Sequence, residues 1–357
     1  MTRLIEILIS LAIVAVLFLV VGIALPSSRH VSESIETNRK MIIVRDTLTS
    51  PRRFKEWNTL ALRDPRMEWK FFGPDTGVGA GFEYNSANKM VGTGKWTLTK
   101  NEPNRIEYDI VDRNRGSDKK TAFTLKPTGR NNRNVEITQT YDVDYGFDLF
   151  GRYSGLYIRS VGDDIKLGLG KLTNMLAGVP NYDYNADFGR KSPADLPKVV
   201  ELPAENLLFA PATVERDPEK IQQAMNSNLQ WIRKVMDANG LEAAGPLRVI
   251  TTEFAADAVS FDTAMPVRKK GETGVPSEIP APKLEQQVQF IRTTPARFAS
   301  AGFTGHMINL AKVRDSLRAW TMTRGYETTG RPFEAWTNGV DPGFTDEGHY
   351  QLFWQLK

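Results

Sequence analysis

Val135-Glu136-Ile137-Thr138-Gln139-Thr140-Tyr141-Asp142-Val143 alternates without a break. Successive side chains of an extended chain point to opposite faces. Val135, Ile137, Gln139, Tyr141 and Val143 therefore share one face, and Glu136, Thr138, Thr140 and Asp142 the other. One largely apolar face against one polar face predicts an antiparallel sheet with a single buried side. Beyond this stretch the period changes. Ile158, Val161, Ile165, Leu169, Leu172 and Leu176 recur at steps of three and four, with Arg159, Asp163, Lys166 and Lys171 on the remaining faces. That spacing is an amphipathic helix. A long sheet followed by one helix is an α+β plan in which the sheet curls around the helix.

Toward the N-terminus, shorter strand signals are separated by turn residues. They are Trp69 to Phe72, Phe82 to Tyr84, Gly94 to Lys100, Ile106 to Ile110 and Ala122 to Lys126. Gly73-Pro74, Asn85 to Asn88, Pro103-Asn104 and Gly129 to Asn134 punctuate them. Upstream, Pro51 suits a first helical position with Ser50 as N-cap. Phe54, Trp57 and Leu60-Ala61 follow at helical spacing until Asp64-Pro65 breaks it. A helix pair is expected here, joined by a short tether to the N-terminal segment.

Trp57-Asn58, Asp64-Pro65, Gly73-Pro74, Gly77-x-Gly79-Ala80 and Val91-Gly92-x-Gly94-x-Trp96 resemble the polyketide cyclase/dehydrase branch of the START-like (SRPBCC) superfamily, over residues 31–179. The resemblance implies a helix-grip fold, with a curved sheet wrapped on a long helix and a hydrophobic cavity between them. The inward sets then give the candidate ligand-binding residues: Trp96, Tyr108, Phe123, Gln139, Tyr141, Ile165 and Leu169. Each also reads as ordinary core. Gln139 is the informative one, because an inward amide needs a hydrogen-bond partner. A ligand, a water or the backbone would each supply it.

At the start of the chain, every residue from Ile7 to Leu25 is apolar or small apart from Ser10. That run spans about 28 Å as a helix, close to the hydrocarbon thickness of a bilayer. A transmembrane anchor is expected over residues 4–26. The rival reading is a cleaved signal peptide, but the apolar core is longer than a usual h-region and Ala24-Leu25-Pro26 offers no small-x-small site. Arg3 on one side and Arg29, Arg39 and Lys40 on the other leave the charge rule undecided. A short N-terminal tail before a lone apolar helix favours export of the large C-terminal part. The expected location is therefore a bacterial inner membrane, crossed once, with periplasmic soluble parts.

Pro180, Pro193 and Pro197 among Asn, Asp, Tyr and Ser mark residues 180–197 as a linker. The region 198–357 carries an internal repeat. Gly240-Leu241-Glu242-Ala243-Ala244-Gly245 runs directly into Pro246, and Gly325-Tyr326-Glu327-Thr328-Thr329-Gly330 reaches Pro332 one residue later. Each copy closes a helical stretch. Ile221, Met225, Leu229, Ile232 and Met236 mark one, starting at Asp217-Pro218; Leu310, Val313, Leu317 and Trp320 mark the other. Each opening glycine stands where a left-handed C-cap belongs. Strands are expected over residues 248–254, 259–267, 289–302 and 350–356. Two such units suggest a pseudo-two-fold pair with a cleft between them.

This pattern, with Pro266-Val267, Gly302-x-x-Gly305, Gly325-Tyr326 and Gly330-x-Pro332-x-Glu334, resembles the GyrI-like effector-binding domain. The stretch from Gly271 to Pro282 departs from it as an insertion able to cover the cleft. The resemblance implies that Glu334 faces a ligand. A carboxylate amid Trp320, Tyr326, Phe333 and Trp336 suits a cationic, aromatic or amphipathic molecule.

Catalytic patterns are thin. Cysteine is absent, and His30, His306 and His349 have no metal-ligand spacing, so no metal and no cofactor is expected. His349 beside Glu347 is a candidate general acid/base pair. There is no phosphate loop, dinucleotide fingerprint or Gly-x-Ser-x-Gly. The net charge of +4 is scattered, and no basic recognition helix stands out, so nucleic acid is not an expected partner. The sequence reads as a membrane-anchored, non-catalytic protein that senses or sequesters hydrophobic or cationic amphipathic molecules. Its expected partners are the lipid bilayer and a small-molecule ligand, with protein partners open. The alternatives are a hydrolase or cyclase acting on a hydrophobic molecule, and an interaction protein with filled cavities.

Overall fold

The computed structural model describes residues 2–188, 192–255 and 257–357. The chain divides into two compact units, one running to Asn181 with Thr323–Gly325, the other comprising Tyr182–Met322 and Tyr326–Lys357. Residues 189–191, within the stretch read as a linker, lie outside the described residues.

The first unit begins with α1 (Thr2–Ala24). Residues 3–24 form a helix long and apolar enough to cross a membrane, with a mean hydropathy of 3.2 over an 18-residue window, a test that a signal sequence also passes. The expected tether is not there. Strand β1 (Ser28–Thr37) follows almost at once. It pairs along its whole length with β7 (Asn134–Asp144), from Ser28 opposite Asp144 to Thr37 opposite Val135. Its covered face carries Arg29, Val31, Glu33, Ile35 and Thr37. That mixture of polar and apolar groups hides the alternation that marks β7.

Next come α2 (Met41–Leu48), α3 (Pro51–Trp57) and α4 (Thr59–Arg63). An antiparallel meander follows: β2 (Glu68–Phe72), β3 (Gly81–Asn85), β4 (Thr93–Glu102), β5 (Arg105–Asp112) and β6 (Ser117–Thr128), then β7. The sheet order is β1-β7-β6-β5-β4-β3-β2, so the first strand closes the far edge. A short helix, α5 (Leu149–Ser154), leads to α6 (Arg159–Ala177). Ile165, Leu169, Leu172 and Leu176 of α6 are buried, as the helical spacing requires.

The second unit contains β8 (Lys198–Leu202), β9 (Asn206–Glu215), α7 (Pro218–Ala238), β10 (Leu241–Ala243), β11 (Leu247–Phe254) and β12 (Ala258–Lys269). It continues through β13 (Gln289–Arg292), β14 (Ala296–Thr304), α8 (Leu310–Thr323), β15 (Phe333–Trp336), the one-turn α9 (Val340–Gly343) and β16 (His349–Gln355). Asp217 caps α7 by accepting the Lys220 backbone N–H at 3.0 Å.

The strand order β13-β9-β12-β11-β15-β16-β14-β8 has the same plan from either end. Each half is a strand, a helix and a hairpin: β9, α7, β11 and β12, then β14, α8, β15 and β16. The halves join where β11 pairs antiparallel with β15, Val249 opposite Glu334. Gly240 and Gly325 follow α7 and α8 with φ of +63° and +70°, the left-handed position that ends a helix with least strain in glycine. After Gly240, β10 pairs with β12; after Gly325, Thr328 bridges to Leu356 just past β16. The strand expected over residues 289–302 is two. Residues 293–295 interrupt it, sending β13 to β9 and β14 to a place between β16 and β8.

Candidate functional site

A cavity of about 330 Å³ lies in the second unit between α7 and α8, over the central strands. Its walls are mostly apolar: Ile221 and Met225 from α7, Leu310 from α8, Val249 from β11, and Val259 and Phe261 from β12. Glu334 and Trp336 enter from β15, and Arg216 and His306 also border it. His306 is committed locally, its Nδ1 accepting the Ile308 backbone N–H at 3.1 Å.

Glu334 is fully buried. An unpaired carboxylate there would cost several kcal/mol. Arg314 of α8 supplies the counter-charge. Its Nε donates to Oε1 at 2.6 Å and its Nη2 to Oε2 at 2.8 Å, while Nη2 also donates to Thr251 Oγ1 at 3.0 Å. Such a two-point pair fixes direction as well as charge. Burial works to lower the Arg314 pKa, and the charge and hydrogen bonds of Glu334 more than offset it, leaving it raised. Burial first, and then the same carboxylate, raise the Tyr350 hydroxyl, which donates to the Gly343 carbonyl at 2.6 Å.

Of the five residues expected around this ligand, the structure brings two, Glu334 and Trp336, to the cavity. Phe333 sits on the opposite face of the sheet because strand side chains alternate. There it stacks on Phe353 at 4.9 Å, with the Arg248 guanidinium 4.9 Å from its centroid. Trp320 and Tyr326 pack on each other at 5.8 Å near the other end of α8. The cation expected from a ligand is supplied within the chain by Arg314. The sequence does carry a signal for it: Arg314 follows Leu310 by four and precedes Leu317 by three, placing a charge on the buried face of α8. The stretch from Gly271 to Pro282 does not border the cavity. It is held elsewhere, by Asn206 Nδ2 donating to the Ser277 carbonyl at 2.8 Å.

In the first unit, a cluster of rings packs between sheet and helices. Phe54 of α3 lies 4.8 Å from Trp57, 5.3 Å from Phe82, 5.0 Å from Tyr108 and 5.8 Å from Trp96, centroid to centroid. Tyr108 and Phe123 are fully buried in this cluster, and the Tyr108 hydroxyl donates to the Leu48 carbonyl at 2.7 Å. Ile165 and Leu169 are core residues of α6. Gln139 has its partner within the protein: its Nε2 donates to Thr121 Oγ1 at 3.1 Å, and that hydroxyl donates to the Thr140 carbonyl at 2.7 Å. Trp96 and Tyr141 border a cavity of about 100 Å³, with Tyr84 and Asp112. Part of the space between sheet and helices is thus taken by a packed aromatic cluster, into which α3 inserts Phe54 and Trp57.

Residues 28–176 match the family described as polyketide cyclase/dehydrase and lipid transport. The match marks this unit as a START-like domain of a hydrophobic-ligand-binding family. No curated protein sequence matches the chain. Among solved structures, the C-terminal domain of EcmrR is 15% identical with a TM-score of 0.36, covering 45% of this chain and 96% of that one. Norcoclaurine synthase from Thalictrum flavum, in complex with dopamine and hydroxybenzaldehyde, is 10% identical with a TM-score of 0.33, covering 44% and 90%. CV1439 from Chromobacterium violaceum is 15% identical with a TM-score of 0.29, covering 42% and 98%.

Proposed function

We propose that this chain is a membrane-anchored ligand-binding protein whose second unit is a GyrI-like module for a hydrophobic small molecule. The observation that carries the reading is the apolar cavity of about 330 Å³ with the Arg314–Glu334 pair on its wall. A concave, mostly apolar site with a few placed polar groups is the usual form of a small-molecule pocket. The two ion-pair partners neutralise each other, so the favoured ligand is neutral and largely apolar, with a polar group that hydrogen-bonds beside the pair. This revises the cationic ligand expected from the sequence, which would have to displace a half-buried guanidinium.

Binding is favoured over catalysis because both Glu334 oxygens are engaged by Arg314, leaving that carboxylate poorly placed to serve as a general base. The first unit, a START-like domain, joins this module to the anchor. A bilayer location suits an apolar ligand, which concentrates there. Retention of α1 is supported by its packing on α5, where Phe18 and Tyr153 stack at 4.5 Å.

Native mass spectrometry of the full chain released from lipid nanodiscs tests this. A bound hydrophobic molecule is expected, and Ile221→Trp, which fills the cavity from α7, should abolish it. Retention of the molecule by that variant would place it elsewhere and overturn the assignment.

A further inference from the structure

We propose that α5 and the residues flanking it form a membrane-surface foot, seated in the lipid interface beside the end of α1. This rests on the reading of α1 as a retained anchor and adds a second, non-spanning contact.

Length is the first constraint. Residues 2–24 as a helix measure about 34 Å, slightly more than the hydrocarbon thickness of a bilayer, about 30 Å. The last part of α1 is taken by α5. Phe18 stacks on Tyr153 at 4.5 Å and meets Phe150 at 5.3 Å. The Tyr153 hydroxyl donates to the Phe18 carbonyl at 2.7 Å. Gly22 is in the same contact: a Cβ there would lie 3.2 Å from Tyr153. Below Phe18, the apolar run from Ile7 to Leu17 is only about 16 Å long. Even counted from Arg3 it reaches about 22 Å. That length alone does not cross the hydrocarbon, so a helix that spans carries α5 down to the membrane boundary with it.

The surface of α5 fits that depth. Phe147 is 94% exposed, Phe150 62% and Leu156 57%, unlike the buried rings of the domain core. Three large apolar side chains within ten positions, beside a spanning helix, are the composition of an interfacial belt. Cations stand at the same level. The Arg115 guanidinium, paired with Asp148 at 2.9 Å, lies 5.4 Å from the Phe150 centroid, and Arg29 packs beside Gly155, where lipid phosphates would meet them. The backbone is tied down as well. Arg152, buried, donates to the Ile23 and Leu25 carbonyls at 2.9 and 3.2 Å, and the Tyr145 N–H donates to the Ser27 carbonyl at 2.6 Å. The foot therefore fixes the domain on the bilayer, with the Ser28–Asp144 end of the sheet against the lipid and the β6–β7 hairpin at the opposite end.

The natural absence of cysteine permits single nitroxide labels on the full chain. Val14→Cys, Phe147→Cys, Leu156→Cys and Arg133→Cys would be labelled and reconstituted in vesicles of phosphatidylcholine and phosphatidylglycerol. Accessibility to oxygen relative to a water-soluble nickel chelate reports depth. The expected order is Val14 deepest, Phe147 and Leu156 at the interface with ratios several-fold above Arg133, and Arg133 in water. Val14 deep with both Phe147 and Leu156 as wet as Arg133 overturns the foot while leaving the anchor. Val14 in water overturns the anchor reading beneath it.

Discussion

Arg314 and Glu334 meet through two hydrogen bonds, 2.6 and 2.8 Å long, linking α8 to the central strand β15 with the carboxylate wholly out of solvent. Removing one partner strands the other. Glu334→Leu should destabilise the second unit by about 3 kcal/mol. Amide hydrogen exchange across β15 and α8, measured on the full chain in detergent, should speed on the order of 100-fold. The double variant Arg314→Met/Glu334→Leu should recover most of that loss, because the pair is replaced by apolar groups rather than broken. An equal loss in both variants would mean that the pair itself contributes the stability.

Phe54 holds the first unit together as five rings meet it. Phe54→Ala should cost about 3–5 kcal/mol through lost burial and the void left behind. The variant should also gain affinity for small apolar aromatics, since a cavity lined by Trp57, Phe82, Trp96, Tyr108 and Phe123 would stay dry. Calorimetric titration with benzene-sized probes checks it. A loss of stability with no gain in binding would mean that the neighbouring rings collapse into the space.

The sheet-and-helix plan of the first unit is legible in the sequence because β7 and α6 each show one clean period, two residues in the strand and three to four in the helix. β1 is not legible. Its inward side chains alternate charge with apolar bulk, and the pairing that makes it a strand lies about a hundred residues away, at β7. The repeated Gly240 and Gly325 mark helix ends correctly because a left-handed turn is a local demand. Phe333 faces away from Glu334 and Trp336, which share the cavity face, so nearness in sequence does not group these rings around one ligand. The packing of Phe54 among the rings of the sheet is a matter of where α3 docks, which no local pattern encodes.

Alkaline pH should unfold the first unit before it ionises its buried tyrosines. Tyr108 is raised by burial; Tyr84 and Tyr141 are raised by burial and then by the charge of Asp112. A tyrosine whose folded pKa exceeds its unfolded value keeps its proton when folded and loses it when unfolded. Its stabilising contribution is therefore complete below the unfolded value, near pH 10, and falls as pH rises past it. Tyrosinate absorbance should climb in two stages: exposed phenols first, then a cooperative step coincident with loss of circular dichroism. A single smooth titration with the fold intact would contradict the burial of these hydroxyls.

Arg152 acts by position. Buried on α5, it donates to the carbonyls of Ile23 and Leu25 at the end of α1 and to that of Gly146 at 2.8 Å. The last carbonyls of a helix have no partner within the helix, and a cation there also complements the helix dipole. Arg152→Met keeps the apolar stem and removes the donors. The expected loss is about 1.5–3 kcal/mol, confined to the junction of α1, β1 and α5. In nanodiscs, exchange should quicken at Leu25 and Tyr145, whose N–H groups bond Val21 and Ser27, while the β4–β5 hairpin stays protected. Uniform acceleration across the first unit would instead make Arg152 part of the global core. Unchanged exchange would mean that the Tyr153–Phe18 contact alone holds the junction.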